Sequence, residues 1–203
     1  KILNQNQIVR GDLIEIFSNK NKIESLKVYE NGIIISENTG YEKDKNNQNQ
    51  LIINQDILKA EVIELKINEN EISEIELIGM ASSFIHLYED SLYQGTNEIS
   101  GDKIKLKLIN NNATELFSTG GVIGQFIPST SNTSGQEKVD YKAARVQFDT
   151  NSRSSKMYGK ANIIQTGMDL KAAQINIDWK SNILEAFHKN LYDKEEELEP
   201  TLI

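Results

Sequence analysis

An elongated all-β protein is what this sequence predicts, on three observations. A unit recurs about every 30 to 50 residues, a spacing that marks repeat architectures. Within each unit apolar and polar residues alternate, as they do along a half-buried strand. Asn-rich turns and glycine-marked ends then punctuate the strands at matching places. Each copy opens on a small or acidic anchor, runs along one strand, turns, and returns as a second strand ending near Gly. Such a stack offers a long sheet surface and no conventional enzyme pocket.

Five openings carry the pattern: Gly11 to Phe17, Lys59 to Ile67, Gly101 to Leu108, Tyr141 to Phe148, and Leu170 to Trp179. Lys103 to Leu108 is the cleanest, with three lysines on one face and Ile104, Leu106 and Leu108 on the other. The turns that follow are Asn19–Lys22, Asn68–Glu71, Asn110–Asn112, Thr150–Arg153 and Lys180–Asn182. Asn, Asp and Ser suit these places because they tolerate turn geometry and bond their own backbone. Return strands are expected at Ile23 to Tyr29, Ile72 to Ile78, Thr114 to Ser118, Ser155 to Tyr158 and Ile183 to Phe187. Gly32, Gly79, Gly120-Gly121 and Gly159 mark the corners or bulges where the next pass begins. Glu42 to Gln50 reads as an exposed loop, Pro128 to Lys138 as a Ser/Thr/Gly loop, and Asp193 to Glu199 as a solvated acidic run. Leu184 to Leu191 has only weak helical spacing.

The bulk numbers narrow the classes. At 203 residues the chain could hold one or two domains. The repeat argues for a single elongated domain over 1–203, because each copy buries its apolar face only against neighbours. Apolar residues make up 38%, which suits a thin structure with a narrow interior. A net charge of -8 argues against nucleic acid, whose phosphates need a clustered basic face. With no cysteine, disulfides and thiolate metal sites are excluded. No run approaches the roughly 18 apolar residues of a membrane span. The last residues, Glu199 to Ile203, read as entry to another strand, so a fragment of a longer protein is expected.

Catalytic signals are weak. His86 and His188 lie far apart and outside any motif, and neither has a nucleophile patterned beside it. Asp12 and Asp102 occupy equivalent repeat positions, which a glycosidase-like carboxylate pair would also do. Turn chemistry at a strand entrance accounts for both more simply. Gly120 to Gly124 lacks the Lys-Ser/Thr and the helix of a phosphate loop. Trp179, in step with Ile175 and Ile177, reads as core or groove lining. No catalytic residue, metal ligand or cofactor is assigned.

Asn97 to Leu106 carries a Gly-Asp and the start of an apolar alternation, followed by a polar turn and a Gly-closed return strand. Ser118 to Pro128, Tyr141 to Ala144, Tyr158 to Ala161 and Leu170 to Ala173 continue it. This pattern, from about residue 8 to the end, resembles the OstA-like family. The family comprises periplasmic lipopolysaccharide-transport proteins and the N-terminal domain of the outer-membrane lipopolysaccharide-assembly protein. The resemblance implies a β-jellyroll, or "taco": two sheets in a V around an apolar groove. It implies a periplasmic, non-enzymatic domain that carries acyl chains of lipopolysaccharide, or a similar amphipathic lipid, toward the outer membrane. It also implies end-to-end joining with other OstA-like domains through edge strands.

Read from the residues, the lining candidates are Ile14, Ile16, Ile63, Leu65, Ile67, Ile104, Leu106, Leu108, Val146, Phe148, Ile175 and Ile177. Alternation cannot separate an open groove from a closed core, since one sheet face serves either. The alternative is therefore a closed β-solenoid scaffold filled by its own side chains. A one-residue slip would also swap faces in any strand. The first strand, near Ile8 to Phe17, and the last, near Ile175 to Phe187, are the edges available for pairing.

Overall fold

The computed structural model describes residues 7–44, 46–109, 112–129, 137–181, 183–189 and 197–203. Twelve strands follow in chain order: β1 (Gln7–Arg10), β2 (Leu13–Asn19), β3 (Lys22–Lys43), β4 (Asn49–Asn68), β5 (Glu71–Glu89), β6 (Leu92–Ile109), β7 (Asn112–Pro128), β8 (Val139–Asp149), β9 (Ser154–Gln165), β10 (Met168–Asp178), β11 (Ile183–Phe187) and β12 (Thr201–Leu202). They pair as one antiparallel meander from β3 to β10. β1 and β2 share the outer edge of β3, and β11 and β12 share the outer edge of β10.

A crease crosses every long strand at one level. On β3, β5, β7 and β9 two consecutive residues turn left-handed: Glu30-Asn31, Gly79-Met80, Gly120-Gly121 and Gly159-Lys160. A single residue of the next strand faces each pair, namely Glu61, Asp102, Ala144 and Ala173. Gly11-Asp12 interrupts the edge between β1 and β2 at this same level, where the Asp12 amide donates to Tyr29 and Glu30 carbonyls. Two residues against one is a bulge, and bulges bend a strand. Aligned across the sheet, they fold it into two arms.

The lower arm holds β2, β11 and the strand halves around the Asn-rich turns. The upper arm holds β1, β12 and the opposite halves. Residues facing between the arms are buried and form one apolar core. Tyr141 of the upper arm and Phe148 of the lower meet edge to face, ring centroids 5.9 Å apart. Just above the crease the inward positions are small: Gly32 beside Ala60, Ala81 beside Gly101, Val122 beside Ala143, and Ala161 beside Ala172. Bulky side chains there would hold the arms apart.

The all-β class stands, and several finer expectations change. The expected hairpins are only the lower halves of strands up to 22 residues long. Asp102 is a crease residue inside β6 and not at a strand entrance, whereas Asp12, at the same level, does stand at the entrance of β2. Glu42 to Gln50 is no long loop: β3 runs to Lys43 and β4 starts at Asn49. Asp44 closes that turn by accepting from the Asn46 and Gln48 amides, at 2.8 and 2.9 Å. Ile183–Phe187 is a strand, as its alternation predicts. Residues 110–111, 130–136, 182 and 193–196 of the expected turns, loop and acidic run lie outside the described residues.

The crease gives a stability test. Gly120 has φ +84, and a Cβ there would sit 2.2 Å from an Asp102 carboxylate oxygen. Gly121 has φ +66 with nothing within 4 Å. Gly121→Ala should cost about 1–2 kcal/mol from left-handed strain alone. Gly120→Ala should cost about 2–4 kcal/mol, because a steric clash adds to it. Urea unfolding of the two variants measures the gap.

Candidate functional site

The space between the arms is built from rows of registered side chains. Nearest the crease in the lower arm runs Ile14, Val28, Ile63, Leu77, Ile104, Ser118, Val146, Met157, Ile175 and Ala186. The row beyond it is Ile16, Leu26, Leu65, Ile75, Leu106, Leu116, Phe148, Ser155, Ile177 and Leu184. Ten of the twelve lining candidates fall in these two rows, five in each. Ile67 and Leu108, both half-buried, lie further out along β4 and β6. The structure thus brings ten of the candidates to one face of the sheet.

Their burial differs from that of an open groove. Ile63, Leu65, Ile104, Leu106, Val146, Ile175 and Ile177 are buried, and Phe148 is half-buried against the core. In this conformation the arms pack on each other. Ile14 and Ile16 are the exceptions, at 37% and 45% exposed. They stand on the inner face where β2 extends past the cover of the upper arm. At the far edge Leu184 (38%) and Leu202 (68%) are likewise uncovered.

The upper arm supplies a third row that sequence reasoning missed. Val9, Ile34, Leu58, Ser83, Ile99, Gly124, Tyr141, Ile163, Leu170 and Leu202 run from edge to edge. Alternation in Gly32 to Ile34 and Ala161 to Ile163 carried the signal, in segments read as gaps between hairpins. Tyr141 lies across Gly124, where a Cβ would meet its ring at 2.2 Å. Its hydroxyl donates to Asn97 Oδ1 at 2.9 Å, and burial pushes the phenol well above its ordinary range. It stays a neutral donor.

One contact joins the far ends of the arms, and a second set fastens the tip of the upper arm. Arg153, in the lower turn between β8 and β9, pairs with Glu89, at the upper end of β5. This clasp spans the mouth of the V. Beside it, β4 leaves β5 beyond the Ile57–Phe84 pair while still pairing with β3. The freed β3–β4 tip leans over the β5–β6 turn. Asp56 accepts from the His86 amide (2.8 Å) and faces His86 Nδ1 (2.9 Å); Asn54 donates to Tyr88 OH (2.9 Å). Tyr41 N bonds Ser91 O at 2.8 Å, and Ser129 Oγ bonds Glu42 at 2.6 Å. His86 is therefore a fastening residue of this tip, and His188 is exposed.

The other singled-out residues do not assemble a reactive centre. Asp12 and Asp102 stand four strands apart, about 19 Å, far beyond glycosidase carboxylate spacing. Asp12 accepts from Asn31 Nδ2 at 3.1 Å. Gly120 and Gly121 belong to the crease, and Gly124 underlies Tyr141. Trp179 is not core: half-exposed at the lower mouth, it donates to Ser155 Oγ at 2.6 Å. Among the described residues no group of three His, Cys, Asp or Glu could hold a metal. None of their helices is long and apolar enough to cross a membrane.

Outward faces of the lower arm carry a charge ladder. Lys27 meets Glu64 at 2.7 Å, Glu76 meets Lys103, and Lys107 meets Glu115 at 2.9 Å. Glu74 is held between Lys66 (2.7 Å) and Lys105 (2.9 Å), whose hydrogen bonds keep its carboxyl below the ordinary 4.5.

No protein-family model matches this sequence, and no curated protein matches it. In fold it is similar to LptH of Pseudomonas aeruginosa, described as the LptA-homologous periplasmic component of the conserved lipopolysaccharide transport device. The TM-score is 0.54 at 14% identity, over 72% of this chain and 92% of that one. The creased sheet is thus the β-jellyroll that the resemblance implies.

Burial and charge each give a test. Leu106→Ala should destabilise by about 2–5 kcal/mol, whereas Ile14→Ala and Ile16→Ala should each cost under about 1 kcal/mol. Thermal unfolding of the three variants decides it. For Glu74 the folded carboxyl titrates lower than the unfolded one. Its contribution, at most about 1 kcal/mol because its lysine partners are open to solvent, is complete above the unfolded value and is lost as pH falls through the folded one. The unfolding gap between the parent and Glu74→Gln should therefore be flat from about pH 7 to 5 and shrink below about pH 4.

Proposed function

We propose that this chain, folded like a periplasmic lipopolysaccharide-transport component, is a non-enzymatic carrier of lipopolysaccharide or a similar amphipathic lipid. Acyl chains lie between the two arms, the polar head stays in water, and the lipid moves across the periplasm toward the outer membrane. One observation carries the reading: three largely apolar rows cross the inner face from edge to edge and leave apolar side chains exposed at both edges, Ile14 and Ile16 at one and Leu184 and Leu202 at the other. A core made only for stability gains nothing from Ile14, Ile16, Leu184 and Leu202 in water. A conduit shared by several domains needs those ends bare. The unpaired edges of β1–β2 and β11–β12 can join further OstA-like domains by strand addition.

Affinity comes from apolar burial, at about 0.8 kcal/mol per methylene. The negative charge of the chain is then compatible with an anionic lipid. The packed interior favours the second reading, a closed scaffold module. A carrier must open, and the Glu89–Arg153 clasp is where parting would begin.

Site-specific photo-crosslinking to lipopolysaccharide tests the reading, with probes at inward Leu106 and half-buried Phe148 and a control at outward Lys105. Labelling at the first two alone is expected. Equal labelling at all three, or none, leaves the closed scaffold as the better account. The clasp gives a second test. Arg153→Glu should speed lipid loading up to about fivefold, the scale of an exposed ion pair. Adding Glu89→Arg should restore the parent rate, read as the time course of crosslinking.

A further inference from the structure

Each of the three inner rows contains one serine, and two of the three hydroxyls are unpaired. Ser155 accepts from Trp179. Ser83, in the upper row between Leu58 and Ile99, is 1% exposed. Ser118, in the lower row between Ile104 and Val146, is 0% exposed. Neither hydroxyl has a hydrogen-bond partner among the described residues. Other polar groups nearby are satisfied, Tyr141 by Asn97 and Tyr93 by Thr96.

The two hydroxyls flank the seam of small residues above the crease. Ser118 turns into it: its Oγ lies 2.8 Å from where a Cβ on Gly101 would stand. Ser83 lies two residues along β5 from Ala81, the neighbour of Gly101 in the seam. Two strand spacings separate the serines laterally, about 10 Å, less than the length of an acyl chain. A buried hydroxyl without a partner destabilises the closed state. Plain hydrocarbon filling the space would leave that penalty in place. A chain carrying an oxygen would remove it.

We propose that Ser83 and Ser118 set the specificity of the interior, hydrogen-bonding hydroxyl or ester oxygens on the bound acyl chains. The preferred ligand is then an amphiphile with oxygen-substituted chains over one with uninterrupted hydrocarbon. A site that expects a hydrogen bond discriminates against the analogue lacking it. This inference rests on the carrier reading, and its failure is separable from failure of that reading.

The test is competition against a fluorescent acyl probe on the full chain, using three ligands of equal chain length. These are tetradecanoate, 3-hydroxytetradecanoate and the 3-acetoxy ester of the latter. The parent should prefer the hydroxylated chain, the ester or both over tetradecanoate, by about three- to tenfold for each serine engaged. Which of the two binds better identifies the oxygen. Ser83→Ala and Ser118→Ala should each reduce that preference and raise the thermal midpoint of the free protein. Equal affinity of the parent for all three ligands, or full preference kept in both variants, overturns the proposal alone. Binding of none of them overturns the carrier reading, and this inference with it.

Discussion

Everything in this fold depends on all the long strands bending at the same level. A bulge is usually a local irregularity. Here four of eight successive strands carry one at the same level, each left-handed pair facing a single residue of the next strand. The alternation is geometrically required: a pair opposite a pair would leave the ladder flat, whereas two against one shortens one side and forces the bend. Left-handed backbone costs an ordinary residue about 1–2 kcal/mol. Three of the four pairs therefore contain glycine, and the fourth uses Glu30-Asn31, with the Asn31 side chain bonded to Asp12. Were one strand to bend a residue early, its inner side chains would point outward and the apolar rows would break there.

The crease also separates the two kinds of surface. Below it, outward positions hold the ladder of Lys and Glu, and inward positions hold Ile, Leu and Val. The ladder adds little free energy, but it makes the opposite register expensive. Turning Glu74, Lys105 and Glu115 inward would bury charge without partners. Charge outside and branched apolar residues inside therefore fix the register together, and the small-residue seam fixes how closely the arms approach.

This division explains what the sequence disclosed. Lower-arm hairpins were legible because Lys103 to Leu108 and its counterparts alternate cleanly and end in Asn-rich turns. Even the crease had a trace, since the small-or-acidic anchors at Gly11-Asp12, Ala60-Glu61 and Gly101-Asp102 are its residues. What those anchors do was hidden, because a Gly-Asp at a bulge and one at a turn look alike when the partner strand is unknown. The upper arm was missed for a physical reason. Its inner row is interrupted by Ser83, Gly124 and Tyr141, and its tip carries Asn54 and Asp56, which fasten to Tyr88 and His86, so apolar alternation fails where polar fastening replaces it. Burial was not legible at all. Ile14 and Ile104 stand in one row with identical chemistry, and only the reach of the opposite arm makes one exposed and the other buried.

A packed interior and a carrier function are compatible only if opening costs less than lipid burial returns. Twelve methylenes of one acyl chain return about 10 kcal/mol, comparable to the whole stability of a typical domain. Complete separation of the arms would expose the three rows together and consume most of that gain. Parting at the mouth is cheaper, because the crease acts as a hinge and the residues that separate first are the half-buried ones: Leu108, Phe148 and Trp179. The polar contact that resists it, Glu89–Arg153, is an exposed ion pair that water can replace at small net cost. Near the hinge stand the two unpaired serines, whose burial already raises the energy of the closed state. The balance therefore favours partial opening from the mouth inward, with the chain entering over half-buried side chains and stopping at the seam.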